Sequence, residues 1–438
     1  MISDILKIRE TVKEHPNEKI QNLAKYINVG NLKLIHRMMD SKKAVGIDKV
    51  TKEEYEYNLT ANLEDVVSRM KREAYKPKPV KKVLIPKTNG KMRPLGISTY
   101  EDKIVSALIG QILNEIYEPK FIETSYGFRY NRNCHQAIRE VIEDTQYRKT
   151  NYIVEADIKG FFDNINHDWL IKFLEHDIAD RKLIDIIKRF LKAGVMEEGK
   201  YYSTLVGTPQ GSGMSPVLAN IYLHYVLDIW FELRVKKQSK GEAYLVRYCD
   251  DFICCFQYES DAKEFYDELQ NRFKKFGLEL AMEKTKILEF GRFARHNRKV
   301  KGMGKPETFD FLGFTFYCGE DGTKTFYRTK VKSSKAKVRK KLLEIKEWLK
   351  MCRHYKITDL IKRINQILIG YYHYYGVTDN LKSIDSFRSR VVYLLYKWVN
   401  RRGQRNSYNN EEFFNLLKIY PIRVPKVYIS LFYRETKI

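Results

Sequence analysis

The sequence predicts an α+β core with a helical region attached, on three observations. Helix-period and strand-like stretches alternate between about Tyr75 and Phe309. An Asn-Gly pair and an Asp-Asp pair each interrupt two strand-like runs, as hairpin turns do. Past Phe309 two long apolar stripes at helical spacing take over, among basic residues. At 438 residues the chain is long enough for two or three domains.

Residues 1–75 are mostly helical in pattern, broken at AVGIDKVT (Ala44 to Thr51), which puts Gly46 and Asp48 in a turn. YKPKPVKKVLIPKTNGKMRPLGI then sets Asn89-Gly90 between two runs loaded with Lys and Arg, a basic hairpin. Glu101 to Glu118 returns to helical spacing. NYIVEADIKGFF (Asn151 to Phe162) reads as a buried strand that delivers an acid, Asp157. Strand alternation lets only one of Phe161 and Phe162 face a core. A helix follows at HDWLIKFLEHDI.

The Gly/Pro/Ser-rich loop VGTPQGSGMSP runs into an apolar helix, and YLVRYCDDFICCF, residues 244–256, sets Asp250 and Asp251 between two apolar runs. Further on, Arg328 to Lys341 carries eight basic residues and no acid. The helix that follows repeats Val338, Leu342, Ile345 and Leu349 on one face, and a second repeats Ile357, Ile361, Ile364, Leu368, Tyr371 and Tyr375.

Lys and Arg number 80 against 55 Asp and Glu, a formal charge of +25, which points to a polyanionic partner, nucleic acid first. Mean hydropathy is −0.50 and no apolar run approaches the roughly 18 residues of a membrane span, so no membrane role is expected. The start, MISDILKIRE, has no signal-peptide core. Cys134, Cys249, Cys254, Cys255, Cys318 and Cys352 form no C-x-x-C pair, which argues against a zinc knuckle or a disulfide framework and for reduced intracellular thiols. The nine histidines show no metal-ligand spacing.

Two carboxylates in a hairpin turn have a plain reading, an acidic turn facing water, and a sharper one, a metal site. A third acid decides between them. Asp157 ends its strand 93 residues before Asp250 (250 − 157), a separation natural for neighbouring strands of one sheet. Mg²⁺ takes few carboxylates, keeps waters and binds phosphate oxygens. Two such ions roughly 3.5–4 Å apart clamp the attacking and leaving oxygens of phosphoryl transfer.

Seven ordered blocks, IPKTNGKMRPLGI, SYGFRYNRNCHQAI, EADIKGFFDNINH, GTPQGSGMSPVLANIYL, RYCDDF, LELAMEKTKI and FDFLGF, resemble the successive motifs of reverse transcriptases, specifically those of bacterial group II introns. RINQILIGYYHYYGV resembles the maturase (thumb) region of that family and AVGIDKVT its N-terminal extension. The resemblance implies a right-hand polymerase with fingers, a palm built on an antiparallel sheet, and a helical thumb/maturase domain. Under it, Asp157, Asp250 and Asp251, with the Ile158 carbonyl, hold two Mg²⁺ ions, for which Mn²⁺ can substitute. Lys87 and Arg93 grip the incoming triphosphate, a task that suits charge-assisted donors. Phe162 lies under the nucleotide sugar and rejects a 2′-hydroxyl, Gln210 and Gly211 lie against nucleotide and template, and Lys284 protonates the pyrophosphate leaving group.

Without the family, Lys87 and Arg93 read as exposed strand charges, Phe162 as core and Lys284 as a solvated lysine. Cys249 stands where the family usually has alanine, beside the primer end and the nucleotide sugar, and Tyr130 follows GFR where proline is common. The implied RNA surface takes in Arg129, Arg328, Lys335, Lys337, Lys340 and Lys341.

The expected organisation is an N-terminal extension and fingers helices over 1–75, fingers and palm over 76–306, thumb and maturase over 307–400, and a short basic tail over 401–438. That tail has no cysteine, so no zinc-supported endonuclease is expected in it. The implied function is binding a group II intron RNA, assisting its splicing and copying it into cDNA for mobility. The partners are that RNA, a template/primer duplex, dNTPs and a DNA target, with a homodimer left open, in the bacterial cytoplasm or at its nucleoid. Two other readings stand beside it: an intron-free relative working in DNA repair or phage defence, and an RNA-binding splicing factor with a dead polymerase. The intact acids argue against the last, and flanking intron RNA domains in the genome would separate the first two.

Overall fold

The computed structural model describes residues 2–86, 92–197, 200–203, 206–207, 213–321, 323, 326–403 and 407–432, with the backbone alone at Ser3, Pro86 and Arg93. Lys87, Gln210, Gly211 and the Asn89-Gly90 turn lie outside the described residues. The fold is α+β. Its strands are β1 (Val80–Pro86), β2 (Met92–Ile97), β3 (Tyr152–Ala156), β4 (Val195–Glu197), β5 (Lys200–Tyr202), β6 (Ala243–Tyr248), β7 (Asp251–Phe256), β8 (Lys286–Glu289), β9 (Phe309–Phe311), β10 (Phe314–Glu320) and β11 (Tyr327–Ser333). They form three sheets, ordered β2-β1-β4-β5, β6-β7-β3-β8 and β11-β10-β9.

The chain divides into two compact units, each discontinuous in sequence: Met1–Asn133, Val154–Cys254 and Ser260–Lys286, and then Cys134–Ile153, Cys255–Glu259 and Ile287–Ile438. In the first, helices Ser3–Glu14, Val29–Met38, Lys52–Tyr57 and Leu59–Lys71 realise the helical N-terminal pattern. The break at Gly46 packs so tightly that a Cβ there would meet the Thr99 backbone at 2.6 Å, which explains a glycine in that turn. Thr99 in turn starts the helix Tyr100–Tyr117 by accepting a hydrogen bond from the Asp102 amide. Residues on every face of that helix are buried, Ile104, Leu108, Ile112 and Ile116 among them, so it forms the unit's central post.

The basic hairpin is present: β1 and β2 pair antiparallel from Lys81↔Ile97 to Pro86↔Met92. The strand expected to run to Phe162 ends earlier. β3 stops at Ala156, and Phe161–Asn164 is a short helix entered through Gly160 at φ 55°. The left-handed glycine turns the chain out of the strand direction, so helical geometry rather than alternation decides where the two phenylalanines point.

In the second unit both apolar stripes face one core, with Val338, Leu342, Ile357 and Tyr375 partly buried at its edge. Ile345 and Leu349 on the helix Lys335–Cys352 and Ile361, Ile364, Leu368 and Tyr371 on the helix Ile357–Tyr375 join one core with Ile384, Phe387, Val391 and Leu395 from the helix Leu381–Val399. Phe413 and Ile422, beyond residue 401, belong to the same core. Among the described residues no helix is long and apolar enough to cross a membrane.

Candidate active site

β6 and β7 form a hairpin closed by only two residues, Cys249 and Asp250. Cys249 sits at φ 59°, a region that tight hairpin turns demand and that normally selects glycine or asparagine. Asp250 is therefore the turn residue before the second strand and Asp251 is the first residue of β7.

β3 runs antiparallel to β7, because the Asn151 amide, at its start, donates to the Phe256 carbonyl at the far end of β7, 2.9 Å away. Six residues on from Asn151 is Asp157, and six back from Phe256 is Asp250, so the register sets Asp157 opposite the acidic turn. The third acid that the sequence required is at the right end of the neighbouring strand.

Asp157 is pinned from its other side. Its carbonyl accepts from the Ala281 amide at 2.8 Å, and the Lys159 amide donates to the Glu279 carbonyl at 2.8 Å, flanking an antiparallel Ile158↔Leu280 bridge. In a bridge of that type the central pair does not exchange hydrogen bonds, so the Ile158 carbonyl is directed away from the 278–281 segment. The turn after that segment delivers Lys284, whose ammonium donates to Asp157 Oδ2. That hydrogen bond raises the Lys284 pKa above its ordinary value against partial burial, and the charges of Asp157, Glu283 and Asp251 add to it. Lys284 therefore stays protonated against Asp157.

The donor set is all oxygen, which suits a hard cation such as Mg²⁺. Among the described residues no three His, Cys, Asp or Glu side chains are gathered into a group that could by itself hold a metal ion. An ion that keeps waters and takes substrate oxygens needs none. Burial, helped by the Asp250 charge, pushes the Cys249 thiol up, so it is a neutral filler here.

Phe161 is 2 % exposed and its ring lies 6.5 Å from Tyr222, whereas Phe162 is only half-buried. The core therefore takes Phe161 and leaves Phe162 half-buried, four residues past the Ile158 bridge. Arg93 lies on β2 opposite Ile85.

One of the residues assigned to an RNA surface is buried, which corrects that assignment, and a second is engaged by partners within the protein. Arg129 is buried, ion-paired to Glu118 at 2.9 Å and donating to the carbonyls of Ile122 and Ser125 at 2.6 and 2.7 Å, so it ties its own loop together. Arg328 pairs with Asp379 at 3.2 Å and lies over the Phe432 ring, 3.9 Å from its centroid. A charge run in sequence does not say which members already hold partners, and here Arg328, on the less buried face of β11 with Lys330 and Lys332, is engaged by Asp379 and Phe432. Lys335, Lys337 and Lys340 are exposed, and Lys341 is half-exposed. Lys337, Lys340 and Lys341 join Arg363, Tyr371 and Tyr374 around a cleft of about 570 Å³.

Sequence reasoning also passed over Arg247, which is fully buried and paired with the equally buried Asp228 directly behind the acidic turn. The signal was there: an arginine inside the apolar run YLVRY has to be exposed or partnered.

Residues 85–316 match the family model for reverse transcriptase (RNA-dependent DNA polymerase), and residues 338–412 match that for the group II intron, maturase-specific domain. The chain belongs to the group II intron reverse transcriptases. It is 30% identical over 410 residues to the group II intron-encoded protein LtrA of Lactococcus lactis subsp. cremoris, covering 77% of this chain and 67% of that protein. Protein YkfC of Escherichia coli is 32% identical over 275 residues, 55% of this chain and 71% of its own length. A 91 kDa protein in the cob intron of Schizosaccharomyces pombe is 39% identical over 179 residues, 41% of this chain and 22% of its own length. The family's activity is RNA-directed DNA polymerisation joined to a maturase role in group II introns.

Proposed function

We propose that this reverse transcriptase binds a group II intron RNA, assists its splicing and copies it into DNA in the bacterial cytoplasm, with Asp157, Asp250 and Asp251 as the reaction centre. The observation that carries the reading is the β3–β7 register, which sets Asp157 opposite the Asp250–Asp251 turn. Two Mg²⁺ ions held by these acids and the Ile158 carbonyl would polarise the phosphate oxygens and clamp the in-line displacement; Mn²⁺ can replace them.

The chain's own groups do the rest. Lys87, Arg93, Gln210 and Gly211 hold the dNTP and template, and Phe162 forms the floor under the sugar. Lys284, kept protonated on Asp157, releases that carboxylate and gives its proton to the departing pyrophosphate. The 1–75 and 76–306 segments serve as extension, fingers and palm, and 307–400 as thumb, with the 401–438 segment beside it. DNA at the target site is the second nucleic acid it meets.

The RNA surface in this reading is the Lys335–Lys341 face and its tyrosine-lined cleft. Lys335 and Lys337 occupy the first turn of their helix, which has no acid. The helix dipole opposes cations there by about 0.3–1 kcal/mol, so they do not serve helix stability. Lys340 and Lys341 lie 3.8 and 3.0 Å from Glu344, but exposed pairs of this kind are worth ~1 kcal/mol or less and yield readily to phosphate. Affinity for structured RNA should fall steeply with salt. Changing Lys335, Lys337, Lys340 and Lys341 together to Ala should flatten the slope of log K against log [salt] by roughly 3, at about 0.7–0.9 per lost contact. An unchanged slope would move the RNA surface elsewhere. Sequencing the RNA that co-purifies with the protein tests the partner itself: an enriched group II intron supports the reading and its absence counts against it.

A further inference from the structure

Behind the acidic turn lies a polar network with no exposure to solvent. The Arg247 guanidinium is 0% exposed, and so is the Asp228 carboxylate it grips with Nε, 2.7 Å from Oδ1, and with Nη2 on Oδ2. Its remaining nitrogen, Nη1, donates to two acceptors at once: Asn220 Oδ1 at 2.9 Å and the Cys249 carbonyl at 3.0 Å. The Asn220 amide passes the chain on to the Gly127 carbonyl at 2.6 Å. Gly127 presses against the turn so closely that a Cβ would stand 2.4 Å from the Cys249 nitrogen. The Arg247 backbone is stitched to the same loop, donating to the Thr124 carbonyl at 2.9 Å and accepting from the Tyr126 amide at 2.8 Å.

Asn220 and Asp228 are eight residues apart, about 80° around a regular helix at roughly 100° per residue. The wider π-helical turn His224–Asp228 takes up part of that offset and lets both face Arg247. Burial alone would push the Asp228 carboxyl up; Arg247 beside it outweighs that and holds it below the usual carboxylate range. A buried ion pair of this kind gives no stability that apolar residues of the same size would not give. Its geometry offers something apolar packing lacks, a directed donor on the carbonyl of Cys249. That residue sits at φ 59°, a conformation that persists only where the surroundings over-determine it.

We propose that Arg247, with Asp228 and Asn220, is a positioning device for polymerisation that fixes the Cys249 turn and so sets the Asp250 and Asp251 carboxylates at the reacting phosphate. This rests on the assignment of those two acids as the reaction centre. Arg247→Lys keeps the buried charge pair with Asp228, but a single ammonium cannot also reach Asn220 and Cys249. Asn220→Ala removes the middle link without disturbing a charge.

The test compares both variants with the parent chain and with Asp250→Asn by single-turnover nucleotide addition, template–primer binding and thermal melting. A displacement near 1 Å costs up to about 100-fold in rate. The expected result is therefore a roughly 10- to 100-fold fall in kcat, with KM for dNTP, duplex affinity and melting temperature close to the parent. Parental kcat in a folded Arg247→Lys or Asn220→Ala variant overturns the proposal. So does a loss of kcat matched by equal losses in binding and melting temperature, or failure of both variants to fold, since each marks a merely structural network. An active Asp250→Asn would instead overturn the assignment of the acids, so the two failures are told apart.

Discussion

Asp250→Asn should abolish primer extension on an RNA template while leaving the protein folded. Asp250 is a turn residue, partly exposed, and asparagine is at home in such turns, so the substitution costs the hairpin little. What it removes is one full negative charge from a site where three acids would hold the metal ions that answer the charge of the reacting phosphates. Losing several kcal/mol of transition-state stabilisation there, at about 1.4 kcal/mol per tenfold, lowers the rate by about a thousandfold or more. Asp157→Asn should fall as far, because it also strips Lys284 of its partner. Circular dichroism checks the fold and extension of a labelled primer checks the rate; a folded Asp250→Asn variant with full activity would sink the assignment.

Phe162→Ala should change which nucleotide the enzyme accepts rather than whether it works. The neighbouring phenylalanines serve as each other's control. Phe161, 2 % exposed in the core, should cost about 3–5 kcal/mol of stability when cut to Ala. Phe162, half-buried beside it with ring centroids 5.4 Å apart, should cost far less and instead remove the ring proposed to exclude a 2′-hydroxyl. Pocket contacts of that size discriminate by roughly 10- to 200-fold. Ribonucleotide incorporation relative to deoxynucleotide incorporation should rise by about that factor, with deoxynucleotide synthesis retained. Competition assays with paired rNTP and dNTP measure it. An unfolded Phe162→Ala variant would return the residue to core packing.

Much of the active site is legible in the chain alone because its signals are local. Asp250-Asp251 sits between apolar runs, Asp157 ends another, and the basic hairpin and the two apolar stripes follow from spacing of 2 and 3.6 residues; these elements formed close to their patterns, except that the strand read to Phe162 stops at Ala156. The seven ordered blocks carried the family without any structure.

Only tertiary structure decided which members of each pattern are buried, paired or exposed. β3 stopped at Ala156, and the left-handed Gly160 opened a short helix that gave Phe161, not Phe162, to the core. Burial claimed Arg129, and internal partners engaged Arg328, in a basic set that composition could not subdivide. Lys284 could be an exposed lysine from sequence, and became a partner of Asp157, 127 residues away, through one bridge at Leu280. Arg247 and Asp228 meet across a π-helical turn that no periodicity announces. The physical reason is common to all four: local sequence fixes backbone preference and apolar faces, whereas the pairing of charges depends on which elements the packed core brings within a few ångströms.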